Sequence, residues 1–230
     1  MTSPSEDDFA ESLRGFGPLG ILSVLAVFLT GNVVIGSILS IPVGAILVLM
    51  WARRSRTPWR EIGFSRPRSW IGVVAAGLAL GVGFKLLMKS VVMPLLGAGP
   101  INQAYHFLAG NRAMLPAAAW TLLAAGFSEE TMFRGFAFER LRKLLGAGRL
   151  VMPAIVLLTS LPFGLVHYGI QGLAGVQQAT IVGLVFGSIY ALTGRIWMPM
   201  IAHTAFDLTA LGIIYWDLES AVAGCFFDPR

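Results

Sequence analysis

Apolar residues in this chain come in long runs, not in the i, i+3, i+4 stripes of a soluble amphipathic helix. Residues 15–52, 90–111 and 150–194 contain no Asp, Glu, Lys or Arg. A helix crosses the hydrocarbon core of a bilayer with about 20 apolar residues, in a range of about 17 to 25. On that scale the pattern predicts spans at 17–31, 34–51, 70–96, 115–134, 151–168, 175–194 and 198–217. The run 17–51 is too long for one upright span, and Gly31-Asn32 predicts its break. Taken as one tilted helix, it reduces seven spans to six. Pro153 and Pro199 stand near helix starts, where a missing N–H costs little, whereas Pro162 falls inside the fifth span and predicts a kink. The expected fold is all-α: a polytopic transmembrane helical bundle of about seven spans. A membrane domain at 17–230 follows an acidic tail at 1–16, which is expected to be disordered. No internal repeat is visible.

Composition supports this reading. Hydrophobic residues make up 56% of the chain and charged residues 13%, with a mean hydropathy of +0.74. Ordinary soluble domains carry about a quarter charged residues, so a soluble, disordered, collagen-like or disulfide-stapled chain is excluded. The single cysteine, Cys225, permits no intrachain disulfide. The acidic N-terminus lacks the positive region of a cleavable signal, so the first apolar run is expected to remain as an anchor.

The net charge of +5 is concentrated between spans. Arg53, Arg54, Arg56, Arg60, Arg66 and Arg68 form one basic segment, and Arg134, Arg140, Arg142, Lys143 and Arg149 form another. Basic loops between apolar spans follow the positive-inside rule, which argues for a cell (plasma or inner) membrane protein and against nucleic acid as partner. The loops 52–69 and 135–150 are then cytoplasmic, and Asp217, Glu219 and Asp228 lie outside.

Ionisable residues within spans are costly and point to function. They are Lys85 and Lys89, Glu129, Glu130 and Arg134, His167, and His203 with Asp207. Long stems let Lys85 and Lys89 snorkel toward the outer surface, the reading favoured for both. His106, in the outer loop, reads as a satisfied structural histidine. Adjacent helical positions point about 100° apart, so Glu129 and Glu130 cannot share a direction. Glu130 and Arg134 are spaced for an intrahelical ion pair, which leaves Glu129 without a partner. Phe163 with His167, and His203 with Asp207, share the same four-residue spacing. On three apolar helices these groups find partners only in one another, so convergence in the bundle interior is expected.

These residues form EExxxR at Glu129–Arg134, FxxxH at Phe163–His167 and HxxxD at His203–Asp207. In order and spacing they resemble the CPBP (Abi) family of intramembrane proteases, which includes the type II CAAX prenyl endopeptidases. The resemblance covers about 115–217. It implies peptide-bond hydrolysis in a cavity open to the cytoplasmic side and to lipid. By position, Glu129 would be the general base, assisted by His167. Glu130, Arg134 and Phe163 would be supporting, and His203 with residue 207 would hold the oxyanion. Many family members carry Asn where this chain has Asp207. An ionised Asp donates no hydrogen bond, so Asp207 would be protonated or would orient His203. Alternatively Glu129, His167, His203 and Asp207 form a nitrogen and oxygen set for zinc. Both accounts, no required cofactor or zinc, stay open at this level.

The partners implied are a peptide or membrane-protein substrate and the lipid bilayer; oligomeric state is not legible. The competing functions are a proton-coupled small transporter and a non-catalytic partner-binding membrane protein. One tension is also visible. If the fifth span begins near residue 151, His167 lies about 24 Å along it, while His203 is near the start of its own span. Their meeting requires a displaced or kinked helix.

Overall fold

The computed structural model describes residues 4–33 and 41–226. Among them every regular element is helical. The helices are α1 (Pro4–Arg14), α2 (Pro18–Val33), α3 (Ile41–Arg54), α4 (Trp70–Leu95), α5 (Leu115–Glu130), α6 (Phe138–Leu145), α7 (Val151–Leu165), α8 (Tyr168–Thr193), α9 (Trp197–Tyr215) and α10 (Glu219–Ala223). A π-helical turn, Thr131–Ala137, joins α5 to α6, and a second, Met88–Val92, interrupts α4. Three of these helices, α4, α8 and α9, are long and apolar enough to cross a membrane; a fourth is added if α1 and α2, bent by 59°, count as one span.

Several boundaries differ from those expected. Helix α2 runs through Gly31-Asn32, so the break expected there is not found; residues 34–40 lie outside the described residues. The acidic tail is folded as α1. Trp51 donates its indole N–H to the Leu13 carbonyl at 3.1 Å, and Arg140 donates to the Arg14 carbonyl at 2.8 Å. These contacts dock α1 on α3 and α6. Pro162 is accommodated within α7, and the chain turns instead at Val166-His167, with a second bend at Gly172, whose φ of 60° suits glycine.

The bundle is organised around α9. Without a hydrophobic force between helices in lipid, close packing needs small residues, and α4 supplies Gly77 and Gly81 in the GxxxG spacing. A Cβ at Gly81 would come within 2.2 Å of the Ala202 carbonyl oxygen, so only glycine allows this crossing. Helix α5 meets α9 through Gly126, where a Cβ would lie 2.3 Å from Thr204 Oγ1. This approach carries Glu130, one turn beyond Gly126, to the flank of His203. Helices α7 and α8 pair with each other, and α5 scarcely touches either. The resulting gap is a cavity.

Candidate active site

The gap between α5, α9 and the α7–α8 pair is a cavity of about 500 Å³. Its walls include Glu129, Phe163, His167, His203 and Asp207, all anticipated from sequence. Glu130 and Arg134 stand behind this wall.

The two glutamates divide as helical geometry requires. The Glu130 side chain is fully buried, and its Oε1 accepts from Arg134 Nη1 and from His203 Nδ1, each at 2.8 Å. Arg134 also donates to the Gly183 carbonyl at 3.3 Å, and its guanidinium lies 4.8 Å from the Phe163 ring centre. The expected ion pair is therefore a three-member cluster tied to His203. It is incompletely satisfied: Glu130 Oε2 and Arg134 Nε have no hydrogen-bond partner among the described residues. The π-helical turn that carries Arg134 begins directly after Glu130. Such turns are rare and recur at functional sites. The Glu129 side chain is 27% exposed and faces the cavity.

His203 is the hub. With Nδ1 donating to Glu130, its Nε2 faces Asp207 Oδ2 at 3.5 Å and Glu129 Oε2 at 3.8 Å. His167 is one ring further away. Phe163 stands between the two histidines, with ring centres 5.1 Å from His167 and 5.9 Å from His203. His167 Nδ1–H donates to the Phe163 carbonyl at 2.8 Å, which leaves Nε2 as the ring's acceptor. Among the described residues His167 makes no ion pair with a carboxylate within 4 Å. The two histidines nevertheless line one cavity, each with its ring against Phe163.

Two carboxylates approach one His203 nitrogen, but among the described residues no group of three or more His, Cys, Asp or Glu side chains is arranged to hold an ion.

Other expectations are corrected. Lys85 does not snorkel: it is 6% exposed, with Nζ donating to Gln178 Oε1 at 2.9 Å. Lys89 turns inward to Glu219 at 3.0 Å. Arg140 is also interior, sandwiched by Glu139 and the Trp51 ring rather than solvated in a loop. No residue of 52–69 or 135–150 lines the cavity; its far end is formed by Asn102, Tyr105, Phe107 and Leu108. The cavity thus reaches toward the loop after α4. Burial raises the Tyr105 hydroxyl above its ordinary pKa, with the negative charges of Asp207 and Glu129 adding to this, so it stays neutral.

Sequence reasoning missed Glu219 as the clasp of that loop. Its side chain accepts from the Asn102 backbone N–H at 2.8 Å, from Lys89, and from His106 at 3.2 Å. Burial alone would raise its pKa, but the bond from Asn102 and the Lys89 ammonium outweigh burial and hold it below the ordinary carboxylate value. A depressed native value means stability is present above the ordinary value of about 4.3 and is lost as pH falls through the lower native one. Glu219→Gln is expected to show a smaller fall in Tm between neutral and acidic pH than wild type; parallel curves would refute the clasp.

Residues 111–209, which contain all three motifs, match the family model described as Type II CAAX prenyl endopeptidase Rce1-like. The motif-bearing core of the chain is similar to this family. No curated protein and no solved structure matches the chain. The Rce1-like stretch begins at the loop that closes the cavity and ends two residues after Asp207, so it encloses Glu129, His167 and His203 together.

Proposed function

We propose that this chain is an intramembrane endopeptidase that hydrolyses a peptide bond of a membrane-associated or lipidated peptide. The observation that carries this reading is the division of labour between adjacent acids. Glu129 is open to the cavity and 3.8 Å from His203 Nε2, while Glu130 is sealed against Arg134 and fixes the other face of the same imidazole. A base free to meet water and a ring held rigidly beside it are the parts that hydrolysis needs.

In this reading Glu129 takes a proton from a water molecule, whose oxygen attacks the scissile carbonyl carbon. His167, with Nε2 as acceptor, makes the second contact to that water. The developing oxyanion is held by Nε2–H of His203 in its imidazolium form, whose Nδ1–H is given to Glu130 and whose other face is oriented by Asp207. Glu129 then returns the proton to the leaving amine as the C–N bond breaks. Neither a metal nor another cofactor enters a step. The chain is a multi-pass protein of the cell membrane with its Arg-rich loops on the cytoplasmic face, and the shorter apolar helices complete about seven crossings.

Asp207 separates this route from a zinc route. Because Asn can still accept from His203 Nε2, Asp207→Asn is expected to retain activity. Its loss stays well short of the about 10²–10³ that follows removal of an oxyanion donor. Peptide cleavage and bound metal are measured together on the purified variant. Stoichiometric zinc in active wild type, lost along with activity in Asp207→Asn, would contradict the proposal.

A further inference from the structure

We propose that Lys85 and Gln178 form a subsite that receives a carboxylate of the bound peptide, adjoining the Glu129–His203–Asp207 cluster. The inference rests on the endopeptidase reading of that cluster and adds what the substrate must carry.

Lys85 reaches this place through helix packing. Gly77 and Gly81 hold α4 against α9, and Lys85 follows Gly81 by one turn, so its Nζ comes to lie 4.7 Å from the centre of the Phe206 ring. There the ammonium has one polar partner, the Gln178 carbonyl oxygen at 2.9 Å. An ammonium has three N–H donors, and a neutral amide and a ring face leave two of them without an acceptor among the described residues. Lys89, one turn further, makes the contrast: it is paired with Glu219 at 3.0 Å and also donates to the Pro100 carbonyl. Among the described residues Lys85 has no carboxylate within 4 Å, although Asp207 shares its cavity wall. A buried ammonium at membrane depth with no carboxylate in direct contact is costly and marks a place where a ligand's carboxylate can bind.

The surroundings fit a carboxylate. Gln178 spends its oxygen on Lys85, and its NH₂ makes no hydrogen bond among the described residues, so ammonium and amide offer donors side by side. Two cavities also meet here. The larger one holds the Glu129 cluster, and a second of about 300 Å³ lies toward the loop after α4; Lys85, Asn102, Gln171 and Gln178 line both. An extended peptide lying past Glu129 therefore reaches Lys85 with room beyond it. The carboxylate is either the peptide's C-terminus or an acidic side chain near it.

The test uses the full chain in detergent as its Glu129→Gln form, so that bound peptide is not consumed. Three fluorescent prenylated peptides with a CAAX ending are compared: the free acid, its carboxamide, and a carboxamide whose last residue is Glu. The free acid is expected to bind about tenfold or more tighter than the plain carboxamide, the scale of a charge-assisted hydrogen bond. If the side chain is the source, the Glu-ended peptide holds that advantage instead, and the subsite stands. Adding Lys85→Met, or independently Gln178→Leu, should erase the advantage, so that the free acid binds no tighter than the carboxamide. Equal binding of all three peptides to the parent, absence of binding, discrimination that survives Lys85→Met, or equal weakening of all three would overturn the subsite. Cleavage of the free acid by the protein with Glu129 intact is scored separately. Its failure, with acid-selective binding present, would remove the endopeptidase reading and not the subsite.

Discussion

Glu129→Gln is expected to leave a folded protein whose peptide cleavage is slower by about 10²–10⁴-fold, the contribution of a positioned general base. The substitution keeps the size and shape of a side chain that is 27% exposed to the cavity and has no hydrogen bond to lose. Its thermal unfolding in detergent should therefore overlay that of wild type. A matched assay of cleavage and Tm on the same preparation checks both halves. Activity within a few-fold of wild type would move the base to Asp207 or His167.

The neighbouring residue should behave in the opposite way. Glu130→Ala is expected to cost roughly 3–5 kcal/mol of stability, because it strips the buried Arg134 of its counter-ion. It also frees the His203 Nδ1–H, since one carboxylate oxygen serves both partners at 2.8 Å. Arg134→Ala should be destabilised on the same scale, whereas Glu130→Gln, which still offers an acceptor oxygen, should lose less. Extraction yield and tryptophan-monitored melting report the effect. If Glu130→Ala and Arg134→Ala both melt like wild type, the pair is not structural and Glu130 belongs to the chemistry.

The two profiles show what was legible in the residues alone. A rotation of about 100° between adjacent helical positions already separated Glu129 from Glu130, and four-residue spacing already paired Glu130 with Arg134. The structure adds His203 to that pair, a contact between helices that depends on Gly126 letting α5 close on α9. Periodicity within a helix cannot show it. The same reason explains Lys85. Snorkelling is the default for a lysine on an apolar helix, but Gly77 and Gly81 commit that face of α4 to α9 and turn Lys85 inward toward Gln178.

Helix ends were less legible than helix interiors. Gly31-Asn32 is a reasonable breaker by propensity, yet α2 continues through it. Gly172, where a positive φ carries a bend, does fall in the connection expected between the spans 151–168 and 175–194, although α8 begins before it at Tyr168. The tail at 1–16 reads as disordered by its acidity. Its docking uses hydrogen bonds from Trp51 and Arg140, those of Arg14 to the Ser55 and Arg56 carbonyls, and the Asp7–Arg56 ion pair, all with partners far away in the chain. Local composition carries no record of such partners.

Whether Glu129 activates water for peptide hydrolysis is tested most directly by the origin of the new carboxyl oxygen. Purified full-length protein is incubated with a prenylated CAAX peptide in heavy-oxygen water, and the products are weighed by mass spectrometry. The account predicts one internal cleavage, one heavy oxygen in the newly formed carboxyl group with wild type, and no product above background with Glu129→Gln. Intact peptide with the wild-type protein, or equal labelling by the Glu129→Gln form, would contradict it.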